Sequence, residues 1–456
     1  MMTTLSGCQS YTPAPLDPAQ MAVARQNRPL DLQAVQREYL HIAPGATYVP
    51  AHWDRLSLLA AVLINNADVA AARAAVTTAL AAAKAARTAP GATLTLSSEY
   101  ANDPAASSPW LLGGAVDVPI DAGGRRSARL DSASLSVAIA RYDYADTLWS
   151  ARMQVVRALA DTLIAEREES IARQLLVFRT SQQSAMMRRL QAGAVNRAEL
   201  ERVRADAASA ASTTNDAHSR LVAARQSLAA AIGVPVAALD GLTFDWQGFD
   251  APSPDPLLAP AAQDRIGATL ARADILKALA AYDQAESDLR GEVARQYPAI
   301  SIAPGYTWER GLVKLPLSVG LALPPLDLNR SAIATAEAKR TEAGRKLETV
   351  VAAATAALDG AISECRLARQ ALARIRSDDV PVARRLAAQA DRELRRGQID
   401  RSDWAAAQAG ATQIRLVELT ALARVHAADA ALEDALRRPL EGPELRLSSG
   451  ALDIEI

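Results

Sequence analysis

The side chains that could perform acid–base, nucleophilic or metal chemistry are few and widely spaced in this sequence. Its four histidines lack nearby cysteines or paired carboxylates at metal-ligand spacing. Cys365 falls within a helical pattern, ISECRLARQAL, where a buried free thiol is expected. No nucleophile–base pair, phosphate loop or metal cluster stands in a strong context, so the sequence predicts neither an enzyme nor a bound cofactor. The histidines are His41, His52, His218 and His426.

One short motif predicts a covalent modification. Leu5-Ser6-Gly7-Cys8 has the form of a lipoprotein cleavage box, in which small residues precede a cysteine that becomes the acylated N-terminus. A secretory signal also needs a basic segment and an apolar stretch of roughly 7–15 residues, so we expect the coding sequence to begin further upstream. By resemblance to bacterial lipoproteins, Gln9 favours delivery to the outer membrane. The alternative is an accidental LSGC in a soluble protein.

A second pattern combines charged residues with glycine at two places in the chain. GAVNRAEL (193–200) matches GQIDRSDW (397–404) at an offset of 204. In each, a glycine that suits a turn precedes an Asn or Asp that can start a helix. Nearby charges could form ion pairs, each weak when hydrated. The charged residues expected to take part are Arg395, Arg396, Asp400, Arg401 and Asp403.

These turns belong to a duplication that covers most of the chain. Three further pairs of segments match at one offset, 206, and in the same order. They are NNADVAAA (65–72) with ARADILKA (271–278), LTLSSEY (94–100) with ISIAPGY (300–306), and PIDAGGRR (119–126) with PLDLNR (325–330).

Each copy contains two alternating segments, predicted as strands over 92–100 and 110–118, and over 300–309 and 313–323. In the last of these every odd position is apolar. The alternative is a small sheet packed on helices. Lengths of about ten residues, with Tyr and Trp toward the ends, instead favour tilted membrane strands. Four strands cannot close a barrel, which needs about eight, and lipid forbids open edges, so several chains must contribute.

Helical periodicity covers most of the remaining sequence. The long segments 125–190 and 329–394 each span 65 steps, roughly 98 Å, with Asn329 a suitable N-cap. The return segments 196–232 and 400–436 are each roughly 54 Å long. The entry segments 52–89 and 264–296 supply the other half-length helices, which could stack end to end beside the long ones.

Composition supports elongated helices and excludes other classes. Half of the 456 residues are hydrophobic but only 4% are aromatic, and alanine-rich runs suit long helices that pack closely. Fifty basic and fifty-one acidic residues leave no electrostatic footprint for nucleic acid. No stretch of eighteen apolar residues is free of charge, so no transmembrane helix is predicted.

The order of these parts resembles the TolC-like outer membrane efflux protein family over nearly the whole chain. The segments that carry the resemblance are PIDAGGRRSA, PLDLNRSAI, RADILKALAAYDQA, QYPAISIAPGY and the two glycine turns. The resemblance implies a mainly α fold with a small β part. In it, three subunits with four membrane strands each form a twelve-stranded β-barrel, continued by a long α-helical barrel across the periplasm.

The resemblance also implies a function and partners. The chain would be a passive duct in the outer membrane, projecting into the periplasm as a lipid-anchored homotrimer. It would export drugs, metals or polypeptides from an inner-membrane pump through a periplasmic adaptor. A periplasmic adaptor and a coiled-coil scaffold without a channel are the alternative classes. The duplication argues against the adaptor, since that family interrupts a helical hairpin with a β domain and is not duplicated.

In the family the glycine turns form the periplasmic tip, which contacts the adaptor and closes the duct at rest. Some members close it with aspartates six and nine residues after the second glycine. Here Asp403 matches the first position but Ala406 occupies the second, so a cation-binding double ring is incomplete. Asp400 is a further gate candidate, and Asp403 could instead favour the helix dipole. The implied adaptor contacts are Leu190, Gly193, Asn196, Arg197, Leu394, Gly397, Arg401 and Ser402.

The predicted division of the chain follows from the duplication and the resemblance. An N-terminal lipoprotein-like segment and linker (1–50) precedes periplasmic helices (51–90), a membrane β-hairpin (91–121) and a long helical hairpin (122–232). An equatorial loop region (233–262) separates these from periplasmic helices (263–297), a second β-hairpin (298–326), a second helical hairpin (327–438) and a C-terminal equatorial segment (439–456).

Overall fold

The computed structural model describes residues 11–45, 47–50, 52–100, 108–121, 123–252, 264–309 and 311–446, so Cys8 lies outside the described residues. Its helices are α1 (Pro18–Gln26), α2 (Leu32–Ile42), α3 (Arg55–Asn65), α4 (Ala67–Ala86), α5 (Arg125–Gln191), α6 (Arg197–Ile232), α7 (Arg265–Leu270), α8 (Ala273–Ala294), α9 (Arg330–Arg374), α10 (Val380–Arg395) and α11 (Arg401–Leu436). The strands are β1 (His52–Trp53), β2 (Thr93–Tyr100), β3 (Trp110–Ile120), β4 (Thr243–Phe244), β5 (Ala299–Glu309), β6 (Leu312–Lys314) and β7 (Leu317–Ala322).

The ends of the long helices follow the local signals in the sequence. Asn196 accepts a hydrogen bond from the Glu199 backbone N–H at 2.9 Å and so caps α6. Asp400 caps α11 in the same way, accepting from the Ser402 N–H at 2.7 Å. Asn329 precedes α9 in a left-handed conformation and its side chain makes no cap, because it donates to the Glu292 carbonyl at 2.8 Å instead. The cap predicted at Asn329 is therefore wrong, although the helix begins there.

Three of the predicted helical segments, 52–89, 264–296 and 329–394, are interrupted. The entry segment 52–89 breaks at Asn66, whose side chain accepts from the Asp68 and Val69 N–H groups and starts α4. In the second copy α8 begins after Arg272, at an offset of 206 from Asn66. Between α9 and α10 the chain forms one π-helical turn, here called the π-turn, over Ile375–Asp379. Pro381 follows it and lacks the N–H that would continue the α-helical ladder.

The predicted strand 313–323 is also divided. β6 ends at Lys314 and β7 begins at Leu317, because Pro316 between them has no N–H to donate to the neighbouring strand. The Pro316 carbonyl still accepts from the Gly305 N–H at 2.8 Å. Both short strands pair antiparallel with β5, so the segment stays in the sheet despite the interruption.

The strands and helices lie in the same order across the molecule. The sheet runs β2–β3–β5, followed by β6 and β7, and all neighbours are antiparallel. The helices joined to these strands pack in the matching order α4–α5–α8–α9, and beside the turns the order is α6–α5–α11–α10. In the described part of the chain β2 pairs with β3 alone, and β6 and β7 pair with β5 alone, so the sheet has an open edge on each side.

The hydrophobic core is concentrated halfway along the helices. There α3 packs against α5 and α6, and Leu56, Leu159, Leu228 and Leu432 are fully buried. Among the described residues one helix, α4, has the length and composition to cross a membrane, with a mean hydropathy of 1.2 over its apolar window. Only 11% of that window is buried.

Candidate functional site

The register of the sheet collects apolar side chains on one face. Leu94 lies opposite Val116, Val118 opposite Ile302, and Ile302 in turn opposite Val319. Their neighbours along each strand are mostly small or polar and point to the other face, as pleating requires. The apolar side chains are not covered: Leu96 is 76% exposed and Val319 is 62% exposed. An apolar surface this large requires a partner, either lipid or protein.

Aromatic residues occupy one end of that face. Tyr100 lies opposite Trp110, with their rings 5.1 Å apart in an edge arrangement. Trp308 lies opposite Leu112, and Tyr306 is 49% exposed nearby on β5. All four residues are at the end of the sheet remote from the helices. Tyr and Trp at one edge of an apolar band are typical of the boundary between lipid and water.

The two glycine turns lie at the opposite end of the helices. Gly193 and Gly397 both have φ of +70°, the left-handed conformation that ends a helix with little strain in glycine. Most of the predicted contact residues lie on the surface of these turns or are half-buried. Ser402 differs, because it is only 3% exposed and its side chain is not available to a partner. The exposed or half-buried residues are Leu190, Gly193, Asn196, Arg197, Leu394, Gly397 and Arg401.

An ion pair joins the two helical hairpins beside the turns. Arg189 Nη1 on α5 lies 2.6 Å from Asp400 Oδ2, and the two side chains are 38% and 40% exposed. The other Asp400 oxygen caps α11. The ion-pair partner of Asp400 is thus Arg189, from the first copy, and not one of the second-copy arginines predicted above. Asp403 is exposed on the first turn of α11.

A groove of about 650 Å³ runs between α10 and α11 above the second turn. Val382 and Leu386 on α10 line it and are 46% and 58% exposed. Asp403 is among the residues that line it. On the other side of α11, Trp404 donates to Asp391 at 2.6 Å and contacts Phe178 edge to face at 5.8 Å. The second hairpin is therefore fastened to α5 on one side and exposes an apolar groove on the other.

A buried charge cluster, which sequence reasoning missed, lies at the centre of the molecule. Arg152 Nη2 is 2.8 Å from Glu433 and 3.2 Å from Glu444, and Arg55 Nε is 3.2 Å from Glu444. All four side chains are at most 5% exposed. Arg55 also donates to the Glu441 carbonyl at 2.7 Å and stacks over Trp246. The cluster therefore fixes the segment after α11 to α3 and α5.

His426 is buried beside that cluster, and its pKa is lowered. It lies 2.9 Å from the Phe249 carbonyl, and its ring stacks on the Phe249 ring at 4.1 Å. Burial lowers the pKa of His426 to about 4, against the opposing effect of the Phe249 hydrogen bond. Nearby, burial raises the pKa of Asp429 to about 6, although Arg369 opposes this. Acidification therefore lowers the free energy of unfolding through His426 and raises it through Asp429.

We predict that His426→Gln reduces the loss of stability on acidification. The unfolded chain protonates its histidine below about pH 6.5, whereas the folded chain does so only near pH 4. The free energy of unfolding therefore falls by up to about 3 kcal/mol as the pH drops through this window. Glutamine can still donate to Phe249 but does not titrate. Asp429 contributes in the other direction between about pH 4 and 6 and is present in both proteins.

Thermal unfolding of the detergent-solubilised protein at pH 7 and pH 4.5 measures this effect. The control is His218→Gln, since the His218 side chain is 62% exposed. Equal pH dependence for the wild type and the His426 variant would show that the buried imidazole does not set the acid sensitivity.

The chain is similar to known outer-membrane proteins in part of its sequence and in its fold. The family model of the outer membrane efflux protein matches residues 58–234. The structure of the outer-membrane channel OprN is 18% identical, with a TM-score of 0.69, covering 95% of this chain and 99% of that one. The outer membrane protein VceC from Vibrio cholerae is 16% identical, with a TM-score of 0.67, covering 85% and 97%. The open state of the MtrE outer membrane channel from Neisseria gonorrhoeae is 16% identical, with a TM-score of 0.65, covering 84% and 89%. No curated protein sequence matches the chain.

A helical layer that continues into a small sheet is the fold that this chain shares with these solved outer-membrane channels. The solved structures share the fold over most of both chains, and the matched residues span the first copy of the duplication from α3 to the end of α6. Residues 58–234 thus match the outer membrane efflux protein family, and the fold of the chain is that of solved outer-membrane channels. The predicted family is thus confirmed, and the alternatives of an adaptor or a coiled-coil scaffold have no support in these matches.

Proposed function

We propose that three copies of this chain form a passive duct through the outer membrane and the periplasm. The observation that carries the proposal is the register of the sheet, which places the exposed apolar side chains on one face and small or polar ones on the other. Such a sheet is stable in lipid only when its edges are paired. Three copies would supply twelve strands, enough to close a barrel with the apolar face toward lipid.

The helical layer supports the same assembly. Because strands and helices follow one order across the molecule, closing the sheet edge to edge would also close the helices into a tube. The long helix α5, 67 residues, is roughly 100 Å in length and would extend the tube well below the membrane. The chain would thus lie in the outer membrane, project into the periplasm and act without chemistry on its cargo. Acylation of Cys8 would add a lipid anchor.

The tip is where this duct would meet the rest of an efflux or type I secretion system. A periplasmic adaptor, linked to an inner-membrane pump, would contact the exposed turn residues around Gly193 and Gly397. Opening would be a shift of the tip helices, biased by the adaptor's preference for the open state. The ion pair between Arg189 and Asp400 fits the closed state, because it fastens one hairpin to the other. Asp403 would contribute negative charge at the same level.

Ion conductance of Arg189→Gln in planar lipid bilayers tests this function. The variant removes the link between the hairpins but leaves Asp400 to cap α11, so we expect a several-fold higher conductance than that of the wild type. Arg204→Gln is the control, since it breaks an exposed ion pair within α6, 2.7 Å from Glu201, without affecting the link. A complete absence of channels in the wild type would contradict the duct. Equal conductance of the wild type and the Arg189 variant would remove only the gating role.

A further inference from the structure

The turns at the tip carry an excess of positive charge that the rest of the chain lacks. Residues 188–204 and the equivalent 392–408 contain nine arginines and five carboxylates, a net charge of +4, whereas the whole chain has a net charge of −1. The excess is therefore local and is compensated elsewhere along the molecule.

Little of this positive charge is neutralised within the chain. Arg189 pairs with Asp400 and Arg204 with Glu201. The other seven arginines of the two turns are exposed, and the part of the chain that the structure describes offers none of them an ion-pair partner. They are Arg188, Arg197, Arg202, Arg392, Arg395, Arg396 and Arg401.

The carboxylates of the turns are mostly engaged in local hydrogen bonds. Glu199 accepts from the Asn196 side chain at 3.3 Å, and Glu393 accepts from Gln389 at 2.8 Å. Asp400 is held by Arg189 and by the N-terminus of α11. Asp403 is thus outnumbered by arginines of the two turns that have no ion-pair partner among the described residues.

We propose that the exposed arginines of the two turns, here called the basic rim, make the periplasmic mouth of the duct selective for anions, so that its cargo is anionic. The proposal rests on the proposed function, which brings three copies of both turns around one opening. Twelve net positive charges would then surround the entrance. Rings of Arg or Lys favour anion passage, and a mouth lined by one sign of charge concentrates solutes of the opposite sign. Guanidinium groups also bind carboxylate and phosphate groups through paired hydrogen bonds.

Reversal potentials of the full-length trimer in planar bilayers test the proposal, with a tenfold KCl gradient from 10 to 100 mM. Low salt is needed because the Debye screening length is only about 10 Å at 0.1 M, so higher salt would hide the effect of the arginines. We expect the wild type to pass chloride several-fold more readily than potassium. In the triple variant Arg395→Gln, Arg396→Gln, Arg401→Gln, which removes nine of the twelve net positive charges from the trimer, the reversal potential should move toward zero, the value of an unselective pore.

The matched control is Arg37→Gln, Arg73→Gln, Arg87→Gln. These arginines are exposed and lie on α2 and α4 or next to α4, far along the chain from both turns. The control should keep the reversal potential of the wild type. A cation-selective wild type, or a triple tip variant with an unchanged reversal potential, would overturn the basic-rim proposal while leaving the duct intact. Failure of the wild type to form any channel would instead remove the proposed function and this inference with it.

Discussion

Val319→Lys is expected to prevent the chain from accumulating in the outer membrane as an assembled oligomer. Val319 lies on the apolar face of β7, opposite Ile302, and is 62% exposed. A lysine near the middle of a bilayer costs about 2–4 kcal/mol, and a trimer would contain three. Isolation of membranes, followed by electrophoresis of unheated and heated samples, measures the amount inserted and assembled.

The adjacent position provides the control for this experiment. Ser318 lies on the opposite face of the same strand, opposite Ala303, and is also exposed. If that face lines a water-filled lumen, Ser318→Lys should be tolerated with nearly normal amounts of oligomer. Equal recovery of the two variants would contradict the assignment of the apolar face to lipid. So would purification of the wild type as a monomer without detergent.

Glu444→Gln is expected to cause a large loss of stability. The variant leaves Arg55 and Arg152 with one carboxylate, Glu433, in a site that excludes water. Removal of one partner from a buried ion pair typically costs about 3–5 kcal/mol. The thermal unfolding midpoint of the detergent-solubilised protein should therefore fall markedly.

Glu441→Gln tests whether that loss is specific. Glu441 belongs to the same segment, and its backbone carbonyl, which the substitution retains, accepts the Arg55 hydrogen bond. This variant should unfold close to the wild-type temperature. A midpoint as low as that of the Glu444 variant would mean that the segment is sensitive to any change, and not that the buried charge is responsible.

The lengths and ends of the long helices could be predicted from the sequence because their signals are local. The observed α5 and α6 agree with the predicted segments 125–190 and 196–232 to within a residue. Glycine turns and capping residues act within a few positions of themselves, so no tertiary information was needed. The mainly helical fold with a small sheet is likewise confirmed.

The interruptions were missed because a local pattern does not distinguish them from continuous structure. Asn66 follows another asparagine within an otherwise apolar helical run, and only its cap to Asp68 and Val69 shows the break. Pro316 lies in an unbroken apolar alternation, which dominated the prediction although proline interrupts the pairing of strands. Two prolines, Pro316 in the divided strand and Pro381 after the π-turn, were the signals from which these interruptions could have been predicted.

The ionic contacts of the site could not be predicted, since their partners are remote in sequence. Arg189 and Asp400 are 211 positions apart, and Arg152 and Glu433 are 281 apart. In a chain with 50 basic and 51 acidic residues, composition gives no means of choosing one pairing. The proposed barrel, trimer and tip contacts would depend on surfaces shared between copies; the strand number predicts that several chains contribute, but the trimer and the tip contacts follow only from the resemblance.

The buried charge cluster also has a consequence for biogenesis. Arg55 donates to the Glu441 carbonyl across 386 positions, so its contacts with Glu441 and Glu444 can form only after the ribosome has added the C-terminal part of the chain. Contacts of such large sequence separation form slowly. Until they form, α3 and the middle of α5 carry uncompensated charge and resist collapse. A nascent chain cut short before Glu444 would have only Glu433 for the two buried guanidinium groups, so one positive charge would lack a carboxylate.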